Sequence, residues 1–217
     1  MESPPYMPGP KKSKTGLIVG GIVAGVLFCC VLPIGLIGGG ALYGWKKIQG
    51  TASCVFTFGD MKRAVQLYTA EHHGKLPDAE KWQDELRPYY KRAMTPKEQL
   101  GPFPQMQPEG DWGCKESDGT STGMAFNSDV SGKDVSEIKD SENTVAIFET
   151  EHPAKNQHMA YKKLDPLSSP KIFNEPRGWF FVSVSGDVFT DSPKKGVQRM
   201  GNISGGGGFK IQTGSGN

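Results

Sequence analysis

Four histidines and the acids around them are the first residues to weigh for chemistry. Glu71, His72 and His73 are consecutive, and His152 and His158 lie close to Glu149 and Glu151. A metal needs ligands that converge. Adjacent histidines point in different directions at a helix end, no two histidines are four apart, and no C-x-x-C accompanies them. A solvated helix C-terminus, whose partial negative charge favours imidazolium, accounts for His72 and His73. Glu149 follows an apolar stretch, and a carboxyl buried there would have its pKa raised. The plainer expectation is a carboxylate at a strand end that meets a backbone amide or a base. Ser185-Gly186-Asp187 lacks the G-x-S-x-G of a nucleophile elbow and reads as a turn. No phosphate loop, dinucleotide fingerprint or Cys–His dyad is present. The expectation is no catalytic residue, no cofactor and no metal.

The aromatic residues and cysteines carry the other options. Trp82, Tyr89, Tyr90 and Trp112, then Trp179-Phe180-Phe181, are enough for a sugar- or peptide-binding surface, although core packing explains most of them. Three consecutive rings cannot all lie on one face of a strand. Phe180 therefore faces away from its neighbours, and Phe180 and Trp112 are the candidate binding surface. Cys29 and Cys30 fall in an apolar run, whereas Cys54 and Cys114 fall in the polar remainder. A lone pair of that kind suits a disulfide in an oxidising compartment; two buried free thiols are the alternative. A bridge there would stabilise by about 4 kcal/mol in the loop-entropy model.

The elements that must position these groups can be read along the chain. Residues 1–15 are Pro-rich and polar, and read as a short disordered cytoplasmic tail. Residues 16–43 carry no charge. At about 1.5 Å per residue they exceed the roughly 30 Å of a bilayer core. Tyr43, Trp45, Lys46 and Lys47 follow as an interfacial anchor, so 16–45 is expected to be a retained transmembrane helix rather than a cleaved signal. Three lysines before the span against two after it favour a cytoplasmic N-terminus.

Beyond Lys47, Ala52, Val55, Phe56, Met61, Ala64, Val65 and Tyr68 recur at spacings of three and four, giving one apolar helix face. Gly74 and Pro77 mark its stop. Asp78 is a candidate N-cap for a second helix, with Trp82, Leu86 and Tyr90 on one side. Residues 94–122 read as a long loop pinned by Cys114. Strand signals follow at 123–126, 144–148, 179–184 and 188–190. Net charge is +2 with both signs interspersed, unlike the one-sided field of a nucleic-acid binder. The expected fold is α+β: a long N-terminal helix, transmembrane in its first half, packed on a small antiparallel sheet. The domain would be 46–192, with a Gly-rich flexible tail at 193–217.

Several phrases in this order resemble the type IV pilin-like proteins and their relatives, the type II secretion pseudopilins. Cys54 opens a helix that runs to Leu67-Tyr68 and then Glu71-His72-His73-Gly74-Lys75-Leu76-Pro77. Trp82, Leu86, Pro88 and Tyr89 match a W…L.PY element, and Gly123 to Asn127 and Asn143 to Glu149 match later phrases. The resemblance implies a non-enzymatic, single-pass bacterial membrane protein with its domain outside the cytoplasm. Its role would be structural, adhesive or accessory to a pilus or secretion system. Implied partners are the lipid bilayer and other pilin-like subunits or secretion components, and no nucleic acid. Two features depart from the pattern. Assembling pilins carry a Glu five residues into the mature chain, where this sequence has Gly21; and the family's terminal Asp-Gly-His is absent, with Ser185-Gly186-Asp187 in its place. The alternatives are a tethered enzyme acting on envelope polymer, or a sensor with a Pro-rich tail.

Overall fold

The computed structural model describes residues 32–96, 105–110, 112–116 and 119–200, with side chains from Gln49 onward. The unit Lys46–Asn217 holds all the strands. Helix α1 (Leu32–Glu71) passes through Gly50 without a break. Its side chains at Cys54, Val55, Phe58, Met61, Ala64 and Val65 are all under 4% exposed, so one stripe faces the core.

Helix α2 (Trp82–Ala93) has Lys81, not Asp78, at its N-cap. Asp78 instead accepts from the backbone of Glu80, an Asx-type turn that leads the chain into the helix. Trp82, Leu86 and Tyr90 are fully buried on one side, each fully buried ring or Leu contributing about 1.5–3 kcal/mol. Pro88 inside the helix leaves the main chain unbroken.

The strands are β1 (Gly123–Asn127), β2 (Val145–Thr150), β3 (His158–Met159), β4 (Lys171–Ile172), β5 (Glu175–Pro176), β6 (Trp179–Ser183), β7 (Val188–Ser192) and β8 (Gly196–Arg199). Six of them form one sheet in the order β3-β1-β2-β6-β7-β8, and β4 and β5 form a separate two-stranded hairpin. β1, β2, β6, β7 and β8 pair antiparallel in turn, with Phe126 opposite Ile147, Phe148 opposite Phe181 and Phe181 opposite Phe189. β3 runs parallel to β1.

Three expectations are corrected here. The α+β, pilin-like arrangement of a long apolar N-terminal helix on a small antiparallel sheet is not what is observed: the sheet has six strands and is mixed. Among the described residues no helix is long and apolar enough to cross a membrane, so the transmembrane, pilin-like and single-pass bacterial membrane assignments are set aside. Residues 16–31 of that apolar run, and the 1–15 tail, lie outside the described residues. Strand β8 falls within 193–217, which the sequence suggests is tail; residues 201–217 are outside the described residues.

The three central strands β1, β2 and β6 are buried on both faces. Phe58, Met61 and Phe126 belong to the core on the α1 side, with Phe180, Val182 and Val188. Ala125, Val145, Phe148 and Phe181 form a second cluster, capped by Tyr161 and Phe189. The chain between β2 and β6 covers that second face. Tyr161 meets Phe148 edge-on at 5.2 Å, and the indole N–H of Trp179 donates to the Asp165 carbonyl at 2.9 Å. Every residue of β1, β2 and β6 is accordingly buried.

Candidate functional site

The strongest concentration of charge lies inside the domain, where four chain segments meet. Glu149, next to last in β2 and 1% exposed, lies on the α1 side of the sheet. Arg177 follows β5 directly, and its side chain is 2% exposed. Glu116 comes from a short ladder formed by Cys114 with Thr122 and Lys115 with Ser121. Cys54 comes from α1.

The guanidinium of Arg177 is fully occupied. Nη1 donates to Glu149 Oε2 at 2.9 Å and to the Gly178 carbonyl at 2.6 Å. Nη2 donates to Glu149 Oε1 at 2.6 Å and to Glu116 Oε1 at 2.8 Å. Nε donates to Glu116 Oε1 at 2.9 Å. Those five bonds use all five N–H groups that an arginine carries. The carboxylates are completed by other donors: Thr122 Oγ1 and the Phe180 amide to Glu149, and Thr51 Oγ1 to Glu116. Burial alone would lower the pKa of Arg177. The charge of Glu149 and its hydrogen bonds, then those of Glu116, more than offset this and raise it. The guanidinium also lies over the Phe180 ring, 4.7 Å from its centre.

Cys54 and Cys114 are joined in a disulfide, with Cα atoms 5.1 Å apart. Cys54 Sγ lies 3.8 Å from both Glu149 Oε1 and Arg177 Nη2. Cys54, Cys114 and Glu149 present ligand-type atoms within 4.8 Å of one another. Their chemistry does not suit a cation: the sulfurs are spent on each other, and Glu149 already has a cationic partner.

The sequence candidates fall into place as follows. Phe180 and Trp112 are 3% and 0% exposed, so the candidate binding surface they were to form is corrected. Phe180 packs between Phe58, at 5.6 Å, and Arg177, because β6 is covered on the α1 side of the sheet. Trp112 is enclosed by Trp82 and Tyr90, and its indole N–H donates to the Pro108 carbonyl. Glu149 meets both a backbone amide and a base. His72 stacks on Tyr68 at 4.0 Å and hydrogen-bonds the Tyr89 hydroxyl at 2.9 Å. His73, His152 and His158 are exposed, and His158 Nδ1 bonds only its own loop at the Asn156 carbonyl. Ser185-Gly186-Asp187 forms the β6–β7 turn, with Gly186 at φ 84° and close against Gln66 of α1.

Two features escape sequence reading. Glu116 and Arg177 stand in polar, Pro-rich stretches with no periodic signal to mark them as interior. The other feature is the β4–β5 hairpin. Its two-residue turn places Phe173 at φ 50° and Asn174 at φ 69°. That turn favours Asn, Asp or Gly, and Phe is foreign to its first position. Phe173 is also 52% exposed, and nearby in sequence Leu167 is 64% exposed and Met159 41%.

The chain matches none of the known family models, none of the curated proteins and none of the solved structures with which it was compared.

Proposed function

We propose that this chain is a non-enzymatic binding module, structural or adhesive in role, that meets its partner through the segment between β2 and β6. The observation that supports the reading is Phe173. A large apolar side chain sits at the tip of a hairpin, half in solvent, on a backbone conformation that disfavours it. Neither core packing nor turn chemistry asks for a phenylalanine there. Strain of this kind, about 1–3 kcal/mol, is retained where a neighbouring group needs the side chain. Leu167 and Met159 add exposed apolar area on the same segment.

The enzymatic alternative needs two carboxylates facing an open cleft. Glu149 and Glu116 instead share one guanidinium in the interior, beneath a disulfide. Their arrangement supports a scaffold role for these acids.

The test is site-specific photocrosslinking in the producing cell. A benzophenone side chain at position 173 or 167 is expected to capture discrete partners, and one at exposed position 139 is not. Identical, featureless patterns from all three positions would remove the support for this surface.

A further inference from the structure

We infer that the Cys54–Cys114 bridge is a redox control on the β4–β5 hairpin, transmitted through Glu116 and Arg177. The inference takes the hairpin as the contact surface and so rests on the proposed function for its meaning, though the coupling itself is a property of the domain.

Successive residues of an extended segment point to opposite sides. Cys114 and Glu116 are two apart and both face inward, at 4% and 5% exposure, while Lys115 between them is exposed. The disulfide therefore fixes the position of the Glu116 carboxylate. Glu116 in turn holds Arg177 by two hydrogen bonds.

Arg177 closes the base of the hairpin. Its backbone N–H donates to the Pro170 carbonyl at 3.0 Å, and the next amide, Gly178, donates to Ser169 Oγ at 2.8 Å. The hairpin has only two paired residues on each strand. A ribbon that short has no stability of its own, so its order comes from that base.

Reduction acts on this chain of contacts in two ways. A dithiol thiolate attacks one cystine sulfur, giving a mixed disulfide. Its second thiol then displaces the protein sulfur. The reagent leaves as a cyclic disulfide, and the protein gains two electrons and two protons as two thiols. Two thiol sulfurs need van der Waals separation instead of a bond. Arg177 Nη2 and Glu149 Oε1 each lie only 3.8 Å from Cys54 Sγ, so a shift of the sulfurs is felt in the ion cluster. Loss of the tether also removes the high effective concentration that holds Glu116 at Arg177. The exposed Lys115–Ser121 ladder is the route by which a reductant reaches sulfurs that are themselves buried.

Hydrogen exchange on the full chain tests the inference, with the oxidised protein set against protein reduced by dithiothreitol. Reduction is expected to speed amide exchange in 171–177 about tenfold more than it speeds exchange in 145–150 of β2, which reports the general loss of stability. Glu116→Gln in the oxidised protein should produce the same pattern without touching the disulfide. Unchanged exchange in 171–177 would overturn the inference. So would equal loss of protection in 145–150, which would make the bridge a global staple. Faster exchange at 171–177 combined with no crosslinks from position 173 would uphold the redox link and remove only the contact role.

Discussion

Glu149 and Asp60 are both carboxylates with almost no exposure, at 1% and 0%, yet their partners differ. Glu149 faces a guanidinium that is itself buried, and shares it with Glu116. Asp60, on α1, takes the Thr95 amide, the Thr95 hydroxyl and the Gln105 amide, all neutral donors. Its one cationic partner, Arg63, has a side chain 34% exposed. Burial raises the Asp60 pKa, and the bonds from Thr95, then Arg63 and Gln105, offset only part of that. Neutral dipoles can seat a buried carboxyl; a buried cation lets the fold hold two carboxylates around one site.

The two clusters also organise different joints. Asp60 binds the chain where it leaves α2, since Thr95 lies just past Ala93 and Arg63 also donates to the Ala93 carbonyl. The Arg177 cluster joins α1, the Cys114 ladder, β2 and the base of the hairpin.

This difference is best broken at Arg177. Arg177→Met strands two buried carboxylates, and removal of one partner from such a set costs up to about 5 kcal/mol. A urea denaturation midpoint should fall steeply or the protein should fail to accumulate. Arg177→Lys should recover little, because an ammonium cannot make paired bonds to two carboxylates. Next in size, replacing both Cys54 and Cys114 with Ser should cost about 4 kcal/mol, given a sequence separation of 60. The same denaturation series reads it, and a loss below 1 kcal/mol would mean that the ion cluster alone holds the ladder in place.

Asp60 sharpens the comparison through pH. Its folded pKa is raised above the ordinary 3.8. A raised carboxyl favours the folded state fully below the unfolded pKa, and that contribution is lost as pH rises through the folded pKa. Asp60→Asn should therefore show its greatest relative destabilisation in acid. Wild type should then lose ground to it above pH 3.8, by at most about 1.4 kcal/mol per pH unit. Parallel stability curves for the two proteins would contradict the assignment. The smallest effect is expected at the hairpin tip. Asn174→Gly relieves a φ of 69° and should change stability by no more than about 1 kcal/mol, upward, in a thermal melt.

Much of the scaffold was legible from residue spacing. The apolar stripe of α1, the Trp82-Leu86-Tyr90 face of α2 and the four main strand signals each correspond to an observed element. The error lay in how many layers the sheet carries. A sheet covered on one face alone would leave part of Trp179-Phe180-Phe181 exposed. The chain between β2 and β6 covers the other face, so apolar residues can run without alternation. That covering segment has almost no regular pattern, as β3, β4 and β5 are two residues each. Glu149 was legible as a strand-end acid. Its partners were not, since Arg177 is 28 residues away and Glu116 is 61 residues from Arg177.

Those separations also set an order of events during biosynthesis. Cys54, Cys114, Glu116 and Glu149 all leave the ribosome before Arg177. Oxidation of the two thiols can thus precede the arrival of the cation that makes burial of the two acids tolerable. At about 5–20 residues per second the gap between Glu149 and Arg177 lasts a few seconds. Throughout it the nascent chain holds the two carboxylates without the cation that faces them in the fold. Arg177 is therefore the last member of the cluster to be synthesised, and the paired burial of both acids waits for it.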